Sequence, residues 1–218
     1  MVTTQTWNEI AEVTPATIGK QTTRGFETDP KRLGFVLSRY KFIAKVAGCQ
    51  GSALEIGCGD GFGTTIIAQA FDRVTAVDIE RSTLDNRSHN QLLDRKVEFR
   101  LHDILAAPMD EKFDVAFSLD VIEHIPEAIE DRFYRNMVAS LKGKSTAIVG
   151  TPNLAAEAHQ SEHSRRDHIN LKSYDTLRAD MLKYFDYVIM FGMNDEVVHT
   201  GFGPMCHYLL AVGMQPKA

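Results

Sequence analysis

The chain has 218 residues, of which 44% are hydrophobic, 9% aromatic and 24% charged, values of an ordinary globular protein whose length suits one domain with one sizeable core. A net charge of −5 argues against a general attraction to phosphate backbones, and no stretch approaches the roughly 18 uncharged apolar residues that a membrane span needs. Cys49, Cys58 and Cys206 lack CxxC spacing, which argues against a disulfide framework and a thiolate metal site and favours a reducing, cytoplasmic setting.

The opening MVTTQTWNEIAEV has no basic segment followed by an apolar core, so neither a secretory signal nor a transit peptide is expected. Residues 1–29 are polar and rich in Thr, with Trp7 and Ile10 as the main anchors, and read as a leader or lid. From Pro30 onward Leu33, Val36, Tyr40, Ile43 and Ala47 recur every three or four residues, which predicts an amphipathic helix stopped at Gly48. Short apolar runs at 53–56, 74–77, 97–101, 115–119 and 147–149 then alternate with helical patterns, as in a parallel sheet covered by helices on both faces. Between the fourth and fifth runs, Pro126 lies near the first turn of a helix with the stripe Ile125, Ile129, Phe133, Met137 and Leu141, ended by Gly143. Ser173 is a good N-cap for another helix, with Tyr174, Leu177, Met181 and Phe185 on its apolar side. The runs 187–191 and 205–212, joined by a glycine-containing loop, suggest an antiparallel, hairpin-like pair.

The segment ALEIGCGDGFGTTIIAQAF places a strand, a loop with Gly57, Gly59, Gly61 and Gly63, and a helix in succession. Such a turn lets main chain approach a ligand closely, and the helix start adds free N–H groups. A P-loop is excluded because no Gly-Lys-Ser or Gly-Lys-Thr follows the glycines. The dinucleotide pattern G-x-G-x-x-G fails as well, since its third glycine falls on Phe62 when begun at Gly57 and on Thr64 when begun at Gly59.

What stands is E-x-G-x-G-x-G, and Glu55, Gly57, Gly59 and Gly61 resemble the first motif of the class I S-adenosylmethionine-dependent methyltransferases. That resemblance implies an α/β fold: a seven-stranded, mostly parallel Rossmann-like sheet with helices on both faces and an antiparallel last strand. It implies S-adenosyl-L-methionine as the cofactor, its amino-acid part wrapped by the loop carrying those four residues. Asp78, followed by Ile79, closes the second strand about 20 residues on, where related folds place an acid on ribose hydroxyls. The resemblance further puts Asp103 on the adenine amino group, Ile104 beside the ring, and Leu119 along the pocket, within FDVAFSLDVIEHIPE. Residues 1–218 then form one methyltransferase domain: the leader or lid, a donor-binding core at 30–150, and substrate-facing loops with the terminal hairpin at 151–218.

Ligands of open parallel sheets bind beyond the carboxyl ends of the strands, which brings Asp120, Glu123 and His124 near the reacting methyl group. An alcohol acceptor must lose a proton, a task for a histidine titrating near neutrality, and His124 is the first candidate base. His168, in HSRRDHINLKSY with His163, Arg165 and Arg166, is the second, and His199, in MNDEVVHTGFGP with Asn194, Asp195 and Glu196, is the third. Carboxylates and imidazole mix in that last loop, but the spacing matches no metal motif, so no metal is expected. The expected activity is methyl transfer to an oxygen or nitrogen of a small polar acceptor such as a sugar, a sugar nucleotide or a secondary metabolite, without nucleic-acid or membrane partners. Quinone, lipid or nucleic-acid acceptors share the same motifs. The alternatives are an NAD-dependent oxidoreductase, against which Phe62 speaks, and a non-catalytic donor-binding protein.

Overall fold

Side chains that alternate across each strand build two cores from one sheet. In β1 (Ser52–Ile56), Ala53 joins one apolar cluster while Leu54 and Ile56 join the other. In β4 (Phe113–Leu119), Val115, Phe117 and Leu119 lie on the first face and Ala116 on the second. The computed structural model describes residues 13–48, 51–159 and 162–217, so Trp7, Ile10 and Cys49, and the side chain of His163, lie outside what it describes.

Among the described residues the sheet has eight strands in the order β3-β2-β1-β4-β5-β8-β6-β7, the others being β2 (Arg73–Asp78), β3 (Val97–Leu101), β5 (Leu141–Pro152), β6 (Phe185–Asn194), β7 (Val197–His199) and β8 (Tyr208–Pro216). Strands β1 to β5 pair in parallel, and β8 runs antiparallel to both β5 and β6. The expected antiparallel last strand is present. The eighth strand is β7, three residues paired with β6 inside the loop before β8, too short to leave a periodic signal. Met205 belongs to a turn, Gly203–Met205, instead of the last strand. Leu141 and Gly143 are likewise strand residues and not the end of a helix. The amide of Phe113 donates to Ser140 O, and Leu141 pairs opposite Phe113, so the sheet captures the chain one turn before the apolar spacing runs out.

Helices cover both faces: α1 (Lys20–Thr28), α2 (Arg32–Val46), α3 (Thr64–Ala70), α4 (Arg81–Asp85), α5 (Gln91–Lys96), α6 (Glu130–Ala139), α7 (Glu162–Asp167) and α8 (Tyr174–Tyr184). Tyr40 and Ile43 of α2 and Ile67 of α3 fill one face, while Phe133 and Met137 of α6 and Leu177 and Met181 of α8 fill the other. Each such side chain contributes about 1.5–3 kcal/mol on leaving water. Gly48 follows α2 with φ +78°, the left-handed stop that its position demands. Ser173 and Thr176 close α8 with a reciprocal capping box. Sequence order along the sheet reverses between β1 and β4, and a crevice opens beyond the carboxyl ends of these two strands.

Candidate functional site

The loop after β1 is bare main chain held from behind. Gly57 N and Cys58 N donate to Val77 O, and Gly59 N donates to Asp78 Oδ2 at 2.8 Å. Gly57, Gly59 and Gly61 take φ of +78°, +56° and +71°, a region that side chains strain to enter. A Cβ on Gly57 would lie 2.2 Å from Val121 Cγ2, so this loop abuts the segment that follows β4. Asp78 is half-buried, and its Oδ1 accepts from Glu80 N at 2.8 Å. Its neighbour Ile79 is 64% exposed at the edge of the crevice. Asp103 uses Oδ1 to accept from Leu105 N at 2.8 Å, while Ile104 is buried in the core and Leu119 is 8% exposed.

Glu55 lies beneath the loop, not on its surface. It is 1% exposed, and its two oxygens accept from Tyr40 Oη at 2.6 Å and Thr64 Oγ1 at 2.7 Å, tying α2 and α3 to the end of β1. Both of its oxygens are thus engaged by the scaffold behind the loop. Burial pushes its carboxyl up to about 7, against the pull of the two hydroxyls. A raised native pKa means that stability is fully present below about 4.5 and is lost as pH rises through about 7, on the order of 3 kcal/mol in all. Glu55→Gln keeps the shape without the buried charge. Its melting temperature should match or exceed the parent's at pH 8 and lose part of the fall between pH 5 and pH 7, as read by thermal melts across that range.

Helix α1 roofs this region. Its start has no cap of its own, and Asp60 of the glycine loop supplies one: Thr22 N donates to Oδ2 at 2.7 Å and Thr22 Oγ1 to Oδ1 at 2.8 Å. Gly19 N reaches Ser88 Oγ, and Thr17 pairs with His89. Below the roof is a cavity of about 230 Å³ lined by Lys20, Gln21, Asp60, Ser82, Thr83 and Asn86. Residues 20–28 thus form a helix that the polar sequence did not announce, and Gln21 lies against Gly59 of the glycine loop.

Across the crevice, the chain leaves β4 through Asp120, at φ +55°, which pairs with Arg39 Nη1 at 2.7 Å. Arg39 itself lies over the Tyr208 ring, 3.6 Å from its centroid. Glu123 is fully buried: Oε2 accepts from Thr151 Oγ1 at 3.0 Å, and Oε1 has no partner among the described residues. Burial holds this carboxyl well above the usual range, and the neighbouring Asp120 charge adds to the effect. The carbonyl of Asp167 accepts from His124 Nδ1 at 2.9 Å, which fixes the proton on that nitrogen and leaves Nε2 as the basic atom of the neutral ring. The rings of His124 and His168 meet edge to face, with centroids 5.1 Å apart.

The structure therefore joins His124 and His168, residues far apart in sequence, and it does so through main chain. Ile169 N and Asn170 N donate to Glu123 O, and Asn170 Nδ2 donates to Ile125 O and Glu130 Oε2. Lys172, 6% exposed, bonds Glu130 Oε2 at 2.5 Å and Asp180 Oδ2 at 2.9 Å. His199 is placed differently: Nδ1 accepts from Gly201 N and Nε2 bonds Asn194 Oδ1, both within its own loop. Asn194 in turn donates to Met205 O, and Asp195 sits at the turn between β6 and β7 with φ +49°. Arg165 and Arg166 are exposed on α7. Sequence reasoning passed over Asp60, Glu130 and Lys172 and took Arg39 for a solvated face, because single charged residues on a polar background look like solvated surface.

Residues 53–144 match the family model of the methyltransferase domain. The ubiquinone biosynthesis O-methyltransferase of Rickettsia bellii (strain OSU 85-389) is 31% identical over 140 residues, covering 60% of this chain and 54% of the relative. The chain thus spans about half the length of the curated relatives it matches first. Among solved structures, the methyltransferase domain of bacterial CtHen1 aligns over 86% of this chain and 100% of its own, with TM-score 0.65 and 19% identity. The N-methyltransferase NodS of Bradyrhizobium japonicum WM9, in complex with S-adenosyl-L-homocysteine, aligns over 88% of each chain with TM-score 0.56 and 19% identity. These structural likenesses show a shared fold.

Proposed function

We propose, from the class I S-adenosylmethionine-dependent methyltransferase domain that this chain carries, that it moves a methyl group to an oxygen or nitrogen of a small hydroxylated acceptor. One observation carries this reading: the glycine cradle after β1 abuts Val121 of the segment after β4, and that same segment carries His124, whose ring meets His168. The three left-handed glycines present main chain to the methionine part of the donor, a surface that any Cβ would spoil. Asp78 retains acceptor capacity for ribose hydroxyls after its bonds to Gly59 and Glu80, and exposed Ile79 offers an apolar face to the adenine. Asp103 and Leu119 belong to the rim of that pocket, and Ile104 supports it from the core.

S-adenosylmethionine, when bound, supplies a carbon already activated by a sulfonium charge, so the protein has to align the acceptor and accept its proton. In this reading His124, through Nε2, or His168 takes that proton, a contribution worth about 10²–10⁴-fold; the bond that fixes His124 Nδ1 and the contact of the two rings support it. The name of the Rickettsia relative favours oxygen over nitrogen. Exposed Leu154, Ile169, Phe202 and Met205 favour an acceptor with an apolar portion beside its hydroxyl. Hydride transfer is set aside, because the methyltransferase match spans the same glycine loop that a nicotinamide would use.

Calorimetry with S-adenosylhomocysteine, followed by transfer of labelled methyl from S-adenosylmethionine to sugars, sugar nucleotides, phenols, RNA and protein, tests the proposal. Labelling of a small hydroxyl compound is expected. Donor binding without any turnover would support a non-catalytic role, and labelling of RNA or protein alone would reject the acceptor class. Once an acceptor is in hand, His124→Ala and His168→Ala should each lower kcat about a hundredfold. His199→Ala should leave kcat near the parent value, because its ring serves its own loop.

A further inference from the structure

The two outer sides of the sheet are built differently. On β3, Glu98 and Arg100 stand two residues apart, and Arg100 bonds both Glu98 and Glu111. Charges placed in this way keep a foreign strand from pairing. On the opposite side, β7 pairs only with Gly192, Met193 and Asn194 of β6, and the outer side of residues 185–191 has no backbone partner among the described residues. Alternate N–H and C=O groups of this run point away from β8, which can engage only those on its own side. The run reads FDYVIMF, with one charge and neither proline nor glycine, and Tyr187 and Ile189 are 59% and 47% exposed. Unpaired main chain flanked by exposed apolar side chains is a template for another strand.

The apolar surface continues onto α2. Phe42 meets Phe191 edge to face, with ring centroids 4.8 Å apart. Helix α2 ends beside the start of β1, and β6 runs in the same direction as β1, so Val46, one turn beyond Phe42, lies towards the same end of the sheet as Ile189. Val46 is itself exposed. Tyr187, Ile189 and Val46 thus form one apolar strip beside the unpaired main chain.

We propose that this edge binds a second copy of the chain, β6 against β6 and antiparallel, so that two eight-stranded sheets join into one. The run is its own complement. Its midpoint is Val188, and a two-fold axis there sets Tyr187 of one copy opposite Ile189 of the other, twice over. Aromatic and β-branched side chains paired across antiparallel strands stabilise a sheet. The one charge in the run, Asp186, falls opposite Met190, which keeps the two Asp186 carboxylates about 14 Å apart, farther than the Debye length of about 8 Å at physiological ionic strength. A register centred on Asp186 would bring them face to face, so charge and shape select the same pairing. An edge about 24 Å long and about 20 Å deep, with the adjoining ends of α2 and α8 included, covers on the order of 500 Å² per copy. The pair then buries about 1,000 Å², the lower end for a specific interface, so the dimer is reversible and forms at micromolar concentrations.

Sedimentation velocity on the full chain, from about 1 to about 300 µM, should show a monomer giving way to a dimer. Tyr187→Glu and Ile189→Lys, both at exposed positions, should each weaken the dimer at least about tenfold while the thermal melt stays as in the parent. Val46→Glu should do the same without touching the strand. Mixing the Tyr187→Glu and Ile189→Lys chains should restore association, because the pairing brings the introduced carboxylate and ammonium together. A parent that stays monomeric over the whole range would overturn the proposal, as would a dimer that none of the three substitutions weakens. Association that mixing fails to restore would overturn the pairing of β6 with itself.

Discussion

Asp78→Lys should weaken S-adenosylhomocysteine binding by about a hundredfold or more. The carboxylate accepts from Gly59 N and Glu80 N, so it shapes the glycine loop as well as facing the crevice. Hydrogen bonds to a charged group contribute about 1.5–3 kcal/mol each, and a lysine accepts none. Loss of the loop anchor and of the ribose contact together exceeds about 2.8 kcal/mol, which is the hundredfold. Asp78→Asn keeps one acceptor in place and should fall about tenfold. The reading is checked by calorimetry on protein whose thermal melt matches the parent's. Parent-like affinity in the lysine variant would remove the donor from this crevice.

Lys172→Met should produce the largest loss of stability among these substitutions. Lys172 is 6% exposed, and its ammonium is shared by Glu130 and Asp180, which are 11% and 12% exposed. Burial alone would lower its pKa, but the bonds to Glu130 and Asp180 outweigh it and hold the group above its ordinary value. Removing one member of a buried ionic group leaves its partners uncompensated, at about 3–5 kcal/mol. For a domain of this size that is a fall of about 10 °C in melting temperature. Neutralising the partners as well, in Lys172→Met with Glu130→Gln and Asp180→Asn, should recover most of the loss. A single variant that melts with the parent would show that the cluster carries little stability. Because Lys172 shares a short irregular segment with Asn170 and His168, the same variant should also lower turnover more than it lowers donor binding.

The sheet and its helices were legible because burial writes itself into sequence with a period, two in strands and near 3.6 in helices. The runs around Val115 and Val74 and the stripe through Phe133 and Met137 each survive in the fold. The glycine loop was legible for a different reason, since only glycine fits Gly57 against Val121 and bends through φ +78°. Contacts between distant segments left no such trace. The meeting of His124 with His168 depends on two amides donating to Glu123 O, and neither has a side-chain signature. The burial of Glu55 against Tyr40 and Thr64 was not legible, because a motif records a residue type and not whether it faces the ligand or the scaffold. Helix α1 was hidden because its cap, Asp60, comes from elsewhere in the chain.

The place of β8 between β5 and β6 has a consequence for biosynthesis. Among the described residues, strands β6 and β7 join the rest of the sheet through β8, which follows both of them in the chain. On the ribosome, β1 to β5 can pair as they emerge, whereas β6 waits beside an open edge until residues 208–216 have cleared the exit tunnel. The β8 strand is therefore inserted between two neighbours that are made before it, and loss of residues 208–216 would detach the whole β6 hairpin with them.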